Sequence, residues 1–181
     1  MNFDCFSHGQ ITSKVWLCDE LEKYLPNNSQ IAILGGWYNL LGFMLLTRFS
    51  SKISKLTSID IDNSTKSIAD KITDTWLHKI VTNVVADVNT VDLNDYNLVI
   101  NCSPEHMYEN HWFNNIKKET VVCIQSSNIT IQTDPWLVVN PNVSLKNLCN
   151  KYKLSNLLYA DELPIVYDNW GYKRYMIIGQ K

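Results

Sequence analysis

The chain has 181 residues, of which 45% are hydrophobic and 19% are charged, and its formal net charge is −2 at pH 7. This composition is that of one ordinary globular domain rather than a disordered tail, and a domain of this length buries about two-thirds of its extended surface. No run of lysine or arginine is longer than a pair. Phosphate contacts need clustered cations, so a nucleic acid is disfavoured as the main partner.

The cysteines and the N-terminal residues indicate the cellular compartment in which the protein is expected. The five cysteines are scattered, odd in number and without a Cys-x-x-Cys pair, so we expect neither a disulfide framework nor a metal site. Reduced thiols favour the cytoplasm. The N-terminus lacks the basic start and apolar run of a secretory signal, and the longest apolar stretch, 40–46, is too short to cross a bilayer. We therefore expect no membrane partner.

Apolar residues recur at helical spacing over residues 10–25, and Pro26 then ends the first helix. Five apolar runs follow that read as strands, at 31–34, 56–61, 80–86, 96–101 and 120–125. Helices are predicted over 38–49, from a cap at Asn63 or Ser64, from a cap at Ser103 with Pro104 in the first turn, and from Ser144 to about Tyr152. The helix after the second strand has one apolar face, made by Ile68, Ala69, Ile72 and Trp76.

Two further strand-like runs, 156–162 and 172–179, are separated by Pro164 and a turn at 169–171, a spacing that suits an antiparallel pair. Strands that alternate with helices form a parallel, doubly wound sheet with right-handed crossovers. We therefore predict a three-layer α/β/α Rossmann-like fold whose mostly parallel, seven-stranded sheet ends in an antiparallel C-terminal hairpin. Residues 1–181 are interpreted as a single domain, with 1–28 as an N-terminal helical cap.

The first chemical motif is a strand that ends in glycines and runs directly into a helix, Ile-Ala-Ile-Leu-Gly-Gly-Trp-Tyr-Asn at 31–39. Gly35 and Gly36 let a ligand approach the backbone closely, and the helix start offers unpaired N–H groups. The alternative is a tight turn and nothing more. The motif is neither G-x-G-x-x-G nor G-x-x-x-x-G-K-[ST], which disfavours NAD and ATP. Trp37 stands where a small residue is usual, and either forms a pocket wall or only packs.

Acidic residues follow the second and third strands. Asp60 ends the second apolar run about 25 residues after the glycines, where a carboxylate can accept hydrogen bonds from both hydroxyls of a ribose. Its alternative role is to cap the next helix, and Asp62 fits a cap better than a ligand. Asp87, in the loop after the third strand, could accept a hydrogen bond from an adenine amino group, although Asp at this position is also common turn chemistry.

Polar residues also follow the fourth strand, in Asn-Cys-Ser-Pro-Glu-His-Met at 101–107. Ligands sit beyond the carboxyl ends of the strands in such a sheet, so these side chains should face the reacting centre. We predict that His106 is a general base, since its ordinary pKa lies near neutrality, and that Asn101 and Ser103 orient the substrate. The alternative is that Ser103 caps a helix and His106 completes that cap.

Three weaker candidates lie elsewhere in the chain. Gln125 and Asn128, at the end of the fifth strand, carry amides that could hydrogen-bond to a small polar substrate. The alternative is that they belong to a simple loop. Lys14 could meet a carboxylate, including that of methionine, but a solvated helix start is the more ordinary interpretation. Arg174 most often has a structural role in pairing the strands of the hairpin, and the alternative is that it binds the substrate.

A glycine turn, a strand-end acid and a loop acid in this order resemble the cofactor half of the class I S-adenosylmethionine-dependent methyltransferases. The strings GGWYN, SIDID, NCSPEHM, QSSN and YKRYMIIG also resemble small methyltransferase-like proteins of bacteria and phages, over nearly the whole chain. The resemblance implies one S-adenosylmethionine-binding domain. The residues that it implies for the cofactor are Gly35, Gly36, Asp60 and Asp87. We add Trp37 and Asn101 as further cofactor candidates, because they follow the first and fourth strands at the same edge of the sheet.

We accordingly predict a cytoplasmic enzyme that transfers a methyl group from S-adenosylmethionine to a small molecule, with His106, Ser103 and Asn101 as its catalytic residues. The resemblance implies the fold and the cofactor and says little about the acceptor. A separate target-recognition domain does not fit in the chain, and the motif after the fourth strand is not the Asn-Pro-Pro-Tyr type associated with methylation of bases. Both points disfavour a nucleic-acid acceptor. The alternatives are aminocarboxypropyl transfer, lysis or cyclisation of the same sulfonium, and a catalytically inert binding protein; a homodimer stays open.

Overall fold

The structure is a computed structural model that describes residues 3–74, 79–131 and 137–181. Trp76, predicted on the apolar face of a helix, lies outside the described residues. The described part of that helix ends at Thr73.

The described residues contain five α-helices and one sheet of seven strands. The helices are α1 (His8–Leu21), α2 (Leu40–Phe49), α3 (Asn63–Thr73), α4 (His111–Asn114) and α5 (Leu145–Lys151). The strands are β1 (Ser29–Leu34), β2 (Ile53–Asp60), β3 (Val81–Val85), β4 (Leu98–Asn101), β5 (Val121–Ser127), β6 (Asn156–Val166) and β7 (Gly171–Gln180).

The strand order in the sheet is β3-β2-β1-β4-β5-β7-β6. Strands β1 to β5 are parallel, and β7 lies antiparallel between β5 and β6. The order reverses between β1 and β4, and ligands of doubly wound sheets bind at the carboxyl ends of strands beside such a reversal. The predicted Rossmann-like, seven-stranded sheet with an antiparallel C-terminal hairpin is confirmed.

Apolar layers cover both faces of the sheet. Successive side chains of a strand point to opposite faces. Accordingly, Ile31 and Ile33 of β1 pack in the cluster that contains α1 and α2, whereas Ala32 and Leu34 pack in the cluster that contains the buried ring of Trp112. A strand covered on both faces needs a nearly continuous apolar run, which is why β1 shows no polar alternation.

The structure changes two of the predicted helix starts. Asp62 caps α3, because its Oδ1 accepts the N–H of Ser64 at 2.8 Å; the prediction of Asn63 or Ser64 was wrong, and the assignment of Asp62 as a cap is confirmed. The segment after Ser103 is only a short 3₁₀ turn, Pro104–His106, and the Ser103 side chain makes no capping hydrogen bond to it.

Two other elements differ from the prediction. Strand β6 runs through Pro164 to Val166, beyond its predicted end at 162, because β6 is the edge strand. Proline lacks an N–H, which an edge strand does not need on its solvent side. Helix α4 was not predicted, since a single turn is too short to show a helical period.

Three absences concern the described residues only. None of the described helices is long and apolar enough to span a bilayer. The described ranges contain no group of three His, Cys, Asp or Glu side chains placed to hold a metal ion. All five cysteines, which lie within these ranges, are free thiols.

Candidate functional site

The turn between β1 and α2 is held by β2. The N–H groups of Gly35 and Gly36 both donate to the carbonyl of Ile59, at 2.9 and 3.1 Å. Gly35 has φ +65°, a left-handed conformation that glycine adopts without strain. Both N–H groups are used by the sheet, so the glycines offer a ligand close approach rather than hydrogen-bond donors.

Serine side chains occupy the space in front of both glycines. A Cβ at position 35 would collide with Ser103 Oγ, and one at position 36 would collide with Ser58 Oγ. Met107 lies 3.3 Å from the same point in front of Gly35. The structure therefore brings Gly35 and Ser103, two of the predicted site residues, into direct contact across the reversal between β1 and β4.

Asp60 joins the glycine turn to the end of β2. Its Oδ2 accepts the N–H of Trp37 at 2.7 Å, and its Oδ1 accepts the N–H of Asp62 at 3.0 Å. Asp60 is half-buried, and a carboxylate offers about four acceptor positions. Each oxygen therefore keeps one acceptor position that is free to receive a hydrogen bond from a ligand hydroxyl group.

Trp37 closes one side of a small cavity beside Asp60. Its backbone has φ 52°, uncommon for a bulky residue, and its ring stacks on Tyr38 with centroids 4.9 Å apart. The cavity has a volume of about 10 Å³, which is room for about one water molecule. Ile61, which follows Asp60 after the end of β2, is 72% exposed, and Val85, which pairs with Asp60 in β3, is 40% exposed.

A partly buried amide network lies beside this cavity and was missed from the sequence. Asn39 Nδ2 donates to Asn83 Oδ1 at 2.9 Å, and Asn83 Nδ2 donates to Asp70 Oδ1 at 2.9 Å. Hydrogen bonds from Lys66 and then Asn83 lower the pKa of Asp70. The absence of a Cβ at Gly42 leaves room for the Asn39 amide. The network thereby ties the start of α2 to β3 and α3, and no local pattern signals it.

Asp87 lies in the turn after β3 and is exposed. Its Oδ1 accepts hydrogen bonds from the backbone N–H of Asn89 at 2.9 Å and from the Asn89 side-chain N–H at 3.1 Å, which is the alternative turn role of this aspartate. The preceding residue, Ala86, donates its N–H to the Asp60 carbonyl at 3.0 Å, so the loop begins beside Asp60. A contact with adenine stays a prediction.

The predicted residues after β4 point in different directions. Asn101 is fully buried; its Oδ1 accepts the N–H of Ser103 at 3.0 Å and its Nδ2 donates to Met107 Sδ at 3.3 Å. These bonds shape the loop. His106 is exposed, and its Nδ1 lies 2.9 Å from the carbonyl of Leu137. A carbonyl only accepts, so Nδ1 carries the proton and Nε2 is the basic nitrogen. The catalytic roles stay predictions.

Glu105, to which no role was assigned from the sequence, is only 3% exposed. Its Oε2 accepts a hydrogen bond from Ser126 Oγ at 3.0 Å, and its Oε1 accepts one from Ser127 Oγ at 3.4 Å. Arg174 Nη1 lies 3.5 Å from the same Oε1. The acid therefore ties the loop after β4 to β5 and β7. Its only sequence signal was the pair of serines that ends β5.

This strand order, with a reversed β7 between β5 and β6, is that of the Rossmann-like methyltransferase fold.

Solved structures share this fold over most of the chain. The MccD protein has a TM-score of 0.70 at 12% identity, over 92% of this chain and 96% of that chain. The N-methyltransferase NodS from Bradyrhizobium japonicum has a TM-score of 0.68 at 10% identity, over 97% and 99% of the two chains. TrmK from M. capricolum, in complex with S-adenosylhomocysteine, has a TM-score of 0.57 at 19% identity, over 90% and 67%. Likeness at these identities is a likeness of fold alone.

No known protein-family model matches the chain, and no curated protein sequence matches it.

Proposed function

We propose that the protein binds S-adenosylmethionine and transfers its methyl group to a small-molecule acceptor. The observation that carries the proposal is the hydrogen bond from the N–H of Trp37 to Asp60 Oδ2 at 2.7 Å, in a fold shared with methyltransferases. This bond sets the glycine turn directly beside a carboxylate that still has acceptor positions. One structure with this fold holds S-adenosylhomocysteine, the product of methyl transfer from the proposed cofactor.

The residues at the ends of β1, β2 and β3 fit an adenosyl group. The carboxylate of Asp60 can accept two ribose hydroxyls. The cavity beside it is too small for a nucleoside, so the surface available to the purine is the outer one, where Ile61 and Val85 are exposed. Exposed apolar side chains next to a half-buried acid suit a planar base joined to a sugar.

The residues at the end of β4 would serve the acceptor. S-adenosylmethionine supplies an electrophilic methyl group, so the chain has to orient the acceptor and receive its proton. Ser103, in contact with the glycine turn, is the candidate for orientation. His106 is the candidate proton acceptor, because its Nδ1–H donates to the Leu137 carbonyl and leaves Nε2 basic. Asn101 would hold the loop that carries both.

A second candidate function, binding of the cofactor without catalysis, is favoured by one observation. Ser58 and Ser103 fill the space in front of the two glycines, and the cavity beside Asp60 has room for about one water molecule. A transferase of another type, which breaks a different bond of the sulfonium, would use the same cofactor contacts and differ only in its product.

The test combines calorimetry with product identification. We expect S-adenosylhomocysteine to bind and NADH not to bind. Incubation of the protein with S-adenosylmethionine and a metabolite extract should yield S-adenosylhomocysteine by mass spectrometry. Methylthioadenosine as the product would replace the proposal with the other transferase chemistry. Binding without any product would favour the non-catalytic candidate, and binding of NADH alone would overturn the proposed cofactor.

A further inference from the structure

Two cations lie on elements that contact the carboxyl-terminal part of β5. Arg174, in β7, pairs with Ser127 at the end of β5 and is only 7% exposed. Lys14, in α1, is half-buried rather than solvated. Burial raises the pKa of Cys102 to about 11, while the charges of Lys14 and Arg174 oppose this shift. The contact of α1 with Gln125 and the pairing of Arg174 with Ser127 place both cations along the last residues of β5, which agrees with this electrostatic effect.

Helix α1 is anchored over this place. Gln125 Nε2, in β5, donates to the carbonyl of Ser13 at 2.9 Å. The N–H of Gly9 donates to the hydroxyl of Tyr167 at 3.0 Å, which fastens the start of the helix to the β6–β7 hairpin. The contacts at Gly9 and Ser13 thus hold the helical turn before Lys14 over the end of β5 and the start of the hairpin strand β7.

Arg174 has hydrogen-bonding capacity that its described neighbours do not use. Its contact with Glu105 is single and long, at 3.5 Å, and that carboxylate already accepts hydrogen bonds from two serine hydroxyls. The guanidinium also lies 6.0 Å from the ring centre of Tyr172; burial raises the pKa of Tyr172, and the charge of Arg174 and a hydrogen bond from it oppose this shift. Its Nε is buried and has no hydrogen-bond partner among the described residues. A buried donor without a partner destabilises the fold, so its retention calls for an explanation.

Lys14 likewise lacks a buried anionic partner within the described ranges. Its Nζ donates to a neutral amide oxygen, Gln10 Oε1, at 2.6 Å. Of the groups that face it, Cys5 and Cys102 are thiols whose pKa values are raised by burial, and Asp4 is exposed. Burial lowers the pKa of Lys14 to about 8; Cys102 opposes this shift and the charge of Arg174 adds to it.

We propose that Lys14 and Arg174 together bind the carboxylate of the acceptor substrate, which makes the acceptor a small organic acid. This inference rests on the proposed function, in which the acceptor lies beyond the ends of β4 and β5. A carboxylate presents two oxygens in a plane, which the Nε side of a guanidinium and an ammonium group can satisfy together. It would also remove the repulsion between two desolvated cations.

The test compares acetate with acetamide, which have nearly the same shape but differ in charge. The melting temperature of the full chain is measured as each is added at constant ionic strength, with and without saturating S-adenosylhomocysteine. We expect acetate to raise the melting temperature and acetamide not to do so, because a ligand that binds only the folded state stabilises it. The increase should persist when S-adenosylhomocysteine is bound.

Lys14→Met, which keeps the apolar stem, should weaken acetate binding about tenfold or more and leave S-adenosylhomocysteine binding unchanged. Lys23→Met, which removes an exposed lysine just after the same helix, is the matched control and should behave as the wild type. If Lys14→Met does not fold, Lys14→Gln serves for the same comparison.

Equal responses to acetate and acetamide, or an unchanged response in Lys14→Met, would overturn the inference. It would also be overturned if S-adenosylhomocysteine abolished the acetate response, or if Lys14→Met bound S-adenosylhomocysteine more weakly, since the two cations would then serve the methionine carboxylate. Failure of the wild type to bind S-adenosylhomocysteine at all would instead count against the proposed function.

Discussion

The backbone N–H of Trp37 and the carboxylate of Asp60, separated by 23 positions in the chain, are joined by a hydrogen bond of 2.7 Å. The bond crosses from the glycine turn after β1 to the end of β2. A single carboxylate therefore holds the turn in its conformation and presents its remaining acceptor positions at the same edge of the sheet. Structure and ligand binding would depend on the same side chain.

Asp60→Ala should weaken S-adenosylhomocysteine binding by at least about tenfold, because hydrogen bonds to a charged group contribute about 1.5–3 kcal/mol each. Calorimetry measures the affinity. Asp62→Ala is the matched control: it removes an exposed carboxylate that caps α3, and should lower stability by about 1 kcal/mol without changing affinity. Normal binding by Asp60→Ala would refute the ribose role.

Gly36→Ala should destabilise the protein by about 1–3 kcal/mol, because the new Cβ would collide with Ser58 Oγ. Ser58→Ala removes that oxygen, so the double variant should recover most of the lost stability. Denaturant unfolding of the two single variants and the double variant gives the coupling free energy. Strictly additive effects would show that the serine is not the obstacle.

Lys14 should make folding stability depend on pH in alkaline solution. Its pKa is lowered from 10.5 to about 8 in the folded chain, so the unfolded chain binds more protons between these values and stability rises with pH across this window. The full effect is on the order of 3 kcal/mol. The free energy of unfolding is measured in urea at several pH values for the wild type and for Lys14→Met. The difference between the two isolates the contribution of Lys14 from that of other titrating groups.

The control for this pH dependence is Lys23→Met. A hydrogen bond from Lys23 to Glu20 raises the pKa of that lysine, which is the opposite direction. The difference between the wild type and Lys23→Met should not show stability increasing between pH 8 and pH 10.5. A flat difference for Lys14→Met would mean that Lys14 is solvated when the protein is folded.

Glu105→Ala should destabilise the fold by about 3–5 kcal/mol, because it leaves the buried guanidinium of Arg174 without its acid. Glu105→Gln keeps an acceptor for the serine hydroxyls and should cost less. Glu109→Ala, at an exposed acid in the same segment, should change stability by less than about 0.5 kcal/mol. Denaturant midpoints compare the three, and a Glu105→Ala midpoint equal to that of Glu109→Ala would contradict the buried network.

His106→Ala should leave S-adenosylhomocysteine binding intact and lower the rate of product formation by about a hundredfold or more, as expected for loss of a general base. His111→Ala, at another exposed histidine, is the control and should retain the wild-type rate. Mass spectrometry of the product over time gives both rates. An unchanged rate in His106→Ala would assign proton removal to another group.

The sequence by itself determined the elements of the sheet and the order of its glycine turn and acids. A strand or helix that is buried on one face or on two has a characteristic spacing of apolar residues along the sequence. Gly35 and Asp60 mark the ends of two such strands and are visible within a few neighbouring residues. Errors arose where that local rule has an exception, as at Pro164, which an edge strand tolerates and a central strand would not.

Only the tertiary structure decided which charges are buried and which side chains meet. Glu105 and Arg174 are 69 positions apart, and they meet because β7 inserts beside β5. Lys14 is covered because α1 docks on the end of β5 and on the β6–β7 hairpin. A charged residue in a local window is expected to be solvated, and the partners that make its burial tolerable come from distant parts of the chain, so no local period can reveal them.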